Sequence, residues 1–341
     1  MRKFFITGGA GFIGSAFVRL VLAESSDVEI TNFDLLTYAG NLENLTGVGP
    51  ERHNFVKGDI RDPAAVLAAM PDGADAVINF AAESHVDRSI ASASEFISTN
   101  VLGTQVLLDA ARARNVKRFC QISTDEVMGS LPDDSDELFT EHSTLAPNSP
   151  YAASKAAAEH LVRAAHHTFG MDTVTTRCGN NYGPRQFPEK LIPLSIANAL
   201  HDEPLPVYGD GKNVRDWIYV DDHCRAVWQI VERGRLGETY NIGARNEQRN
   251  LDVVESILDA LDKPHSLIKF VTDRLGHDRR YAIDSAKVES ELGWRPLETW
   301  QTGLEKTVRW YLDNQEWVGR IRSGDYRQFY ERQYGRELGT T

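Results

Sequence analysis

Short apolar runs alternate with helix-length segments through the first half of the chain. The runs are Lys3 to Thr7, Glu29 to Asp34, Asn54 to Lys57, Ala76 to Phe80, Arg118 to Ile122 and Thr173 to Arg177. Continuous apolar strands separated by helices are typical of βαβ units. The pattern therefore predicts an α/β fold with a doubly wound parallel sheet that is buried on both faces.

The pattern changes after residue 178. Residues 179–193 are loop-rich, residues 204–222 mix Pro and Gly with aromatics, and only Tyr240 to Ile242 has the composition of another core strand. We predict a first domain over 1–178 with a returning strand near 239–243. Residues 179–341 would form mainly a smaller, discontinuous substrate-binding lobe. Because the sequence contains no linker or repeat, the two regions are expected to form one rigid unit with a cleft between them.

Composition narrows the possible partners. The 341 residues carry a net charge of -12, which disfavours nucleic acid and anionic membrane surfaces. No apolar run approaches the roughly 18 residues that span a bilayer, so a cytoplasmic protein is expected.

The three cysteines, Cys120, Cys178 and Cys224, have no metal or disulfide spacing. They are interpreted as reduced packing residues, and no metal is expected.

A glycine-rich turn follows the first predicted strand. Its sequence is Gly8-Gly9-Ala10-Gly11-Phe12-Ile13-Gly14, and a helix is expected to begin near Phe12. Such a turn lets backbone N–H groups and a helix N-terminus approach a pyrophosphate, as in Rossmann-type domains. Asp34, about 20 residues after Gly14, would accept the ribose hydroxyls and repel a 2′-phosphate, which favours NAD over NADP. Asp59 and Ile60 would meet the adenine edge, with a surface turn as the alternative.

Tyr151 and Lys155 lie four residues apart on a predicted helix. Asn148-Ser149-Pro150 supplies the start signals of this helix, and Gly170 supplies its end. A free phenol has a pKa of about 10, and a neighbouring ammonium together with a positive nicotinamide would favour its ionised form. Tyr151 could then accept a hydroxyl proton during hydride transfer. Thr124 is expected in the loop after the 118–122 strand, at the ligand-binding edge of the sheet.

Asp125 and Glu126 add carboxyl groups that a simple dehydrogenase does not need. Acidic residues after a strand are also common as solvated groups or helix caps, and the residues alone leave both interpretations open. Two carboxyls in one partly buried site tend to have separated pKa values, so one can donate a proton while the other accepts one. Such a pair suits the elimination of water from a sugar.

Longer strings around these residues resemble one family closely. They include 37–42 (TYAGNL), 81–89 (AAESHVDRS), 124–127 (TDEV), 180–191 (NNYGPRQFPEKL), 209–211 (GDG), 215–217 (RDW), 221–223 (DDH) and 273–281 (DRLGHDRRY). With these strings, nearly the whole chain resembles the nucleotide-sugar 4,6-dehydratases of the extended short-chain dehydrogenase/reductase superfamily, and within them the branch that acts on dTDP-glucose.

The resemblance implies a role for each matched residue. Asp125 would protonate the departing C6 hydroxyl, Glu126 would remove the C5 proton, and Tyr151 would take the C4 hydroxyl proton. A retained NAD would contact Gly8, Gly11, Phe12, Ile13, Gly14, Asp34, Leu35, Leu36, Thr37, Asp59, Ile60, Ala81, Ala82, Ser84, Thr99, Tyr151, Lys155 and Asn181. The nucleotide-sugar substrate would contact Ser84, Thr124, Asn180, Lys190, Leu191, Pro206, Val207, Tyr208, Arg215, Asn250, Asp273, Arg274 and His277.

The chemistry of the cations and of one aromatic side chain among these positions also supports a role in substrate binding. Lys190, Arg215 and Arg274 suit a diphosphate, and Tyr208 suits stacking on a pyrimidine. Solvated surface charge is the alternative for each cation taken alone. The resemblance further implies a homodimer joined through the helices that follow 79–89 and 149–155.

Three positions depart from the family pattern. Met128 replaces an aromatic residue, Gly179 replaces a Ser, and Leu275 replaces a Pro. Met128 is expected to alter packing near the nicotinamide or the sugar. A sugar 4-epimerase and a non-catalytic NAD-binding sensor are the alternative functions, and the preference for thymidine or uridine stays open.

Overall fold

Seven parallel strands form the main sheet of the protein, which is described here from a computed structural model covering residues 1–322. Their order is β10-β6-β5-β4-β1-β2-β3. The strand bounds are β1 Arg2–Thr7, β2 Val28–Asp34, β3 His53–Lys57, β4 Ala76–Asn79, β5 Phe119–Thr124, β6 Thr173–Cys178 and β10 Thr239–Ile242. The predicted α/β fold with a doubly wound parallel sheet is confirmed.

Helices cover both faces of this sheet and build the second lobe. They are α1 Phe12–Glu24, α2 Pro63–Ala69, α3 Val86–Ala91, α4 Ser94–Phe96, α5 Gly103–Ala113, α6 Pro150–Phe169, α7 Leu191–Leu200, α8 Val220–Arg233, α9 Asn250–Ala260, α10 Ala286–Leu292, α11 Trp300–Asp313 and α12 Gln315–Ile321. Short 3-10 turns cover Leu42–Leu45, Asp125–Met128 and His265–Leu267, and Ile97–Leu102 is π-helical. No helix within residues 1–322 is long and apolar enough to cross a membrane.

The ends of α6 agree with the predicted signals. The Ser149 hydroxyl accepts a hydrogen bond from the Ala152 N–H at 3.1 Å, and Pro150 opens the helix. Gly170 ends it in the left-handed conformation with φ 67°, which glycine adopts at low cost. Helix α6 lies against β5 and β6, and this packing brings Tyr151 and Lys155 to the sheet.

Two small sheets support the second lobe. One has the order β11-β9-β7, formed by Glu247–Arg249, Val214–Tyr219 and Asn180–Tyr182. The other pairs β8, Leu205–Tyr208, with β12, Ile268–Val271. These five strands were not predicted from the sequence because they are short and lack a continuous apolar run.

The structure corrects the predicted position of Thr124 and shows the surroundings of the three cysteines. Thr124 was expected in a loop, but it is the last residue of β5 and its hydroxyl caps the turn that follows. All three cysteines are buried and unpaired, consistent with packing residues. Residues 323–341 of the predicted second domain lie outside the described residues.

Candidate active site

A deep cleft of about 410 Å³ opens at the carboxyl ends of the strands of the main sheet. Most of the residues predicted for the cofactor and all five predicted for catalysis line it. They are Gly8, Gly11, Phe12, Ile13, Gly14, Asp34, Leu35, Thr37, Asp59, Ile60, Ala81, Ala82, Ser84, Thr99, Thr124, Asp125, Glu126, Tyr151, Lys155 and Asn181. The fold therefore brings together groups that are spread between Gly8 and Asn181.

The glycine turn has a shape that only glycines allow. Gly8 has φ 69°, and a Cβ there would lie 2.6 Å from the Ala81 nitrogen. A Cβ on Gly14 would lie 2.2 Å from the Gly8 carbonyl oxygen. These contacts are closer than real Cβ atoms tolerate, so the loop stays narrow and the N-terminus of α1 stays open to the cleft. This cradle fits a dinucleotide pyrophosphate.

Asp34 holds the turn in place from β2. Its carboxylate accepts hydrogen bonds from the Ala10 N–H at 2.9 Å and from the Leu36 N–H at 2.8 Å. Burial raises the pKa of Asp34, and these two backbone hydrogen bonds oppose the rise. The position fits an adenosine ribose. Leu36 is not among the residues that line the cleft, and its side chain packs against the hydrophobic core; its contact with the cofactor stays a prediction.

Asp59 lies at the far end of the cleft and is paired with Arg61. The Arg61 Nη2 donates to Asp59 Oδ2 at 2.7 Å, and Arg61 also pairs with Glu95 at 3.0 Å. Asp59, Arg61 and Glu95 all line the cleft. The end predicted for adenine therefore carries a guanidinium as well as a carboxylate, which the sequence analysis did not foresee.

Tyr151 and Lys155 are both buried on α6. The Lys155 ammonium donates to the Ile122 carbonyl oxygen at 2.6 Å, and burial lowers the pKa of Lys155 to about 8. Burial and the charge of Glu126 raise the pKa of Tyr151 well above its usual range, while a hydrogen bond with Thr124 opposes this rise. Burial therefore favours the neutral phenol, and the phenolate expected from the ammonium and the nicotinamide together stays a prediction.

Asp125 is enclosed beside the Thr124 hydroxyl. That hydroxyl donates to Asp125 Oδ1 at 3.2 Å, and Oδ2 has no hydrogen-bond partner among the described residues. Burial, reinforced by the charge of Glu126, raises the pKa of Asp125 well above its usual range. Because burial favours the uncharged carboxyl there, the environment of Asp125 suits a proton donor.

Glu126 shares the burial but has a different electrostatic environment. Burial raises the pKa of Glu126, and the positive charges of Arg274, Arg215 and Lys190 oppose that rise. The pair thus has one carboxyl whose neutral form is favoured by burial and by the charge of Glu126, and one whose ionised form is supported by three cations. This is the separation that acid–base chemistry at one site requires.

The π-helical segment connects the cleft to α6. The Asn100 side chain donates to the Glu83 carbonyl oxygen at 3.0 Å and to the Ser154 hydroxyl at 2.9 Å. Asn100 Oδ1 also accepts from the Glu83 N–H at 2.9 Å. This arrangement fixes the loop after β4 against the helix that carries Tyr151, with Thr99 exposed to the cleft.

The residues predicted for the nucleotide sugar divide into two groups. Ser84, Thr124, Asn180 and Lys190 line the cleft, and the Lys190 ammonium donates to the Ser84 carbonyl oxygen at 2.8 Å. The others lie outside its lining: Leu191, Pro206, Val207, Tyr208, Arg215, Asn250, Asp273, Arg274 and His277. Val207 is buried in an apolar cluster, so its side chain is not available to a ligand.

Arg215 is close enough to Asp125 and Glu126 for its charge to lower the pKa of both carboxyls. Its guanidinium lies 4.2 Å from the centre of the Tyr281 ring and donates to the Asp278 carbonyl oxygen at 2.8 Å. Asp278 in turn accepts hydrogen bonds from Tyr281 and from the Asn148 amide. The arrangement fixes a cation beside Glu126.

Several residues of the cleft were missed by the sequence analysis, including Ser123, Cys178, Gln186, Phe187 and Glu189. The last three lie within the matched string 180–191, which was the available signal. Met128, which was expected to affect the nicotinamide or sugar environment, does not line the cleft. It packs with Val127 and Phe139 in a separate apolar cluster.

Comparisons with known proteins agree with this geometry. A sequence model of the GDP-mannose 4,6 dehydratase family matches residues 5–307. The chain belongs to this family. A dTDP-glucose 4,6-dehydratase of Xanthomonas campestris pv. campestris is 53% identical, with 96% of this chain and 98% of the relative covered. The enzyme of that name from Salmonella typhimurium is 51% identical, with 97% and 99% covered.

Solved structures of related proteins share the fold. DesIV, a dTDP-glucose 4,6-dehydratase from Streptomyces venezuelae crystallised with NAD and TYD bound, has a TM-score of 0.91 and 49% identity, with 94% of this chain and 99% of that chain covered. A Thermus thermophilus UDP-glucose 4-epimerase in complex with NAD has a TM-score of 0.84 and 30% identity, with 92% and 99% covered. Dehydratases of this family and epimerases therefore share the scaffold, and the residues of the cleft have to distinguish them.

Proposed function

We propose that the protein is an NAD-dependent lyase that converts dTDP-glucose to dTDP-4-keto-6-deoxyglucose and water, for deoxysugar biosynthesis. The observation that carries the proposal is the pair Asp125 and Glu126 beside Tyr151 in one cleft. A 4-epimerase oxidises and reduces C4 only, so it has no use for this acid and base. The 50–53% identity of the curated dehydratases named above and of their relatives supports the same choice.

Each side chain has a proposed proton to move. Tyr151 accepts the proton of the C4 hydroxyl, with Thr124 hydrogen-bonded to its phenol. The resulting C4 ketone makes the C5 proton acidic, and Glu126 removes it. Asp125 delivers its proton to the C6 oxygen as water departs, and Glu126 returns its proton to C5 when hydride is added at C6. When bound, NAD supplies a hydride acceptor at C4 and a hydride donor at C6, together with a positive ring that favours the Tyr151 phenolate.

The proposed binding roles follow the two regions of the chain. Residues 1–178 hold NAD through the glycine turn and Asp34, and residues 179–341 mainly hold the nucleotide sugar, with Lys190, Arg215 and Arg274 directed at the diphosphate. We also infer a homodimer, because Ile97 and Leu102 on one predicted interface segment and Phe169 at the end of α6 are exposed. A cytoplasmic location stays a prediction.

The test is turnover by the purified protein without added NAD. We expect dTDP-glucose to yield a 4-keto-6-deoxy product that is lighter by one water, as measured by mass spectrometry and NMR. Recovery of dTDP-galactose alone would establish epimerisation instead. Bound NAD without any turnover would support the sensor. Parallel reactions with UDP-glucose would report the preference between thymidine and uridine.

The acid role of Asp125 can be separated from the base role of Glu126. Asp125→Asn removes the proton but keeps the size of the side chain, and we expect kcat to fall by about 10² to 10⁴. Because C5 deprotonation precedes loss of water, exchange of the C5 proton with deuterated solvent should persist in this variant. A loss of less than tenfold, or a loss of exchange equal to the loss of turnover, would contradict the assignment.

A further inference from the structure

Asp87 lies on α3, in the half of the molecule that carries the glycine turn, and faces the second lobe. Its side chain is only 9% exposed. The Tyr208 hydroxyl, at the end of β8, donates a hydrogen bond to Asp87 Oδ2 at 3.1 Å. One oxygen of this buried carboxylate is therefore used to hold an aromatic ring of the opposite lobe.

The second oxygen faces a cation of that same lobe. Asp87 Oδ1 lies 3.8 Å from Arg274 Nε, and both atoms are buried without a hydrogen-bond partner among residues 1–322. The separation is too long for a hydrogen bond, but opposite charges at this distance attract each other. A small movement would convert the contact into a charge-assisted hydrogen bond.

The loop that carries Arg274 is built to present these groups together. Asp273 Oδ1 accepts from the Arg274 N–H at 2.8 Å and contacts the His277 ring nitrogen at 2.6 Å. The His277 ring meets the Tyr208 ring edge to face, with centroids 6.1 Å apart. Tyr208 is thus fixed at its hydroxyl by Asp87 and at its ring by His277.

We propose that Asp87 is a positioning residue that arranges Tyr208 and Arg274 for the base and the diphosphate of the nucleotide sugar before it binds. The proposal rests on the proposed function, in which Tyr208 stacks on the pyrimidine and Arg274 binds the diphosphate. Asp87 acts through these two side chains and does not touch the reacting carbons. Because both side chains are already ordered, the loss of conformational entropy on binding is smaller.

The experiment measures dTDP binding by calorimetry and steady-state turnover of dTDP-glucose in the NAD-loaded protein. Asp87→Ala should raise the Kd for dTDP and the KM for dTDP-glucose about tenfold, the size expected when two side chains lose their pre-arrangement. The value of kcat should change less than twofold, because the acid and base are untouched. Asp313→Asn, an exposed carboxylate at the end of α11, serves as the control for loss of charge.

Two further variants separate the two contacts. Asp87→Asn keeps an oxygen for the Tyr208 hydroxyl but removes the charge that faces Arg274, so its Kd should lie between those of wild type and Asp87→Ala. Tyr208→Phe keeps the ring and removes the hydroxyl. In the Tyr208→Phe background, Asp87→Ala should raise the Kd for dTDP by a smaller factor than it does in the wild-type protein, because one of the two contacts is already absent.

The outcomes distinguish this proposal from the proposed function. A dTDP Kd within twofold of wild type in both Asp87 variants, or tighter binding in Asp87→Asn, would overturn the positioning role. If both kcat and thermal stability fell in Asp87→Asn, the role of Asp87 would be structural instead. A wild-type protein that binds dTDP but does not convert dTDP-glucose would refute the proposed function, and the effect on the dTDP Kd would still test Asp87.

Discussion

Glu126→Gln is expected to lower kcat by about 10² to 10⁴ and to stop exchange of the substrate C5 proton with deuterated solvent. The glutamine amide has nearly the shape of the carboxylate but cannot accept the proton. Oxidation at C4 needs Tyr151 rather than Glu126, so the reduced cofactor should still form and accumulate. Rapid-mixing absorbance measurements of the cofactor and NMR of the recovered sugar would measure the two effects.

Two controls make this result specific. Glu305→Gln changes an exposed glutamate on α11 in the same way and should leave turnover and exchange unchanged. Tyr151→Phe should block the reaction one step earlier, so that no reduced cofactor accumulates. If C5 exchange in Glu126→Gln continued at the wild-type rate, another group would be the base.

Glu159→Ala is expected to destabilise the protein by about 3–5 kcal/mol, because it leaves a guanidinium buried without its counter-ion. Glu159 on α6 binds Arg177 on β6 through hydrogen bonds of 2.7 to 3.1 Å, and both side chains are nearly enclosed. Urea unfolding would give the change in the free energy of unfolding. Glu305→Ala, on an exposed helix face, is the matched control and should change it by less than about 0.5 kcal/mol.

A double variant tests whether the loss comes from the unpaired charge. Glu159→Leu combined with Arg177→Met replaces both ions by apolar side chains, beside the Met128 sulfur that already contacts Arg177 at 3.7 Å. Replacement of a whole buried ion pair is often neutral, so the double variant should recover most of the lost stability. A loss of less than about 1 kcal/mol in Glu159→Ala would show that water or another group compensates Arg177.

The main sheet could be predicted from the sequence because its strands are apolar on both faces. Each predicted run overlaps an observed strand, no end is shifted by more than two residues, and Tyr240 to Ile242 marked β10 correctly. The strands of the second lobe gave no such signal. In β9, for example, Arg215 and Asp216 are buried within a strand, where their partners come from segments distant in the sequence.

The residues of the site could be named from motifs, but their electrostatics could not. The sequence suggested that Lys155 and the nicotinamide would favour the ionised form of Tyr151, whereas burial and the charge of Glu126 raise its pKa. Likewise, the contact between Asp87 and Tyr208 joins positions 121 residues apart. Such properties depend on how the two lobes pack together, which no local pattern contains.

The place of β10 in the sheet has a consequence for synthesis on the ribosome. β10 pairs with β6, and its last residue, Ile242, emerges long after Cys178 at the end of β6. Until then the backbone N–H and C=O groups along one side of β6 have no strand to bind. Because an unpaired edge can recruit strands of other chains, the nascent protein passes through a stage in which delayed elongation would favour aggregation.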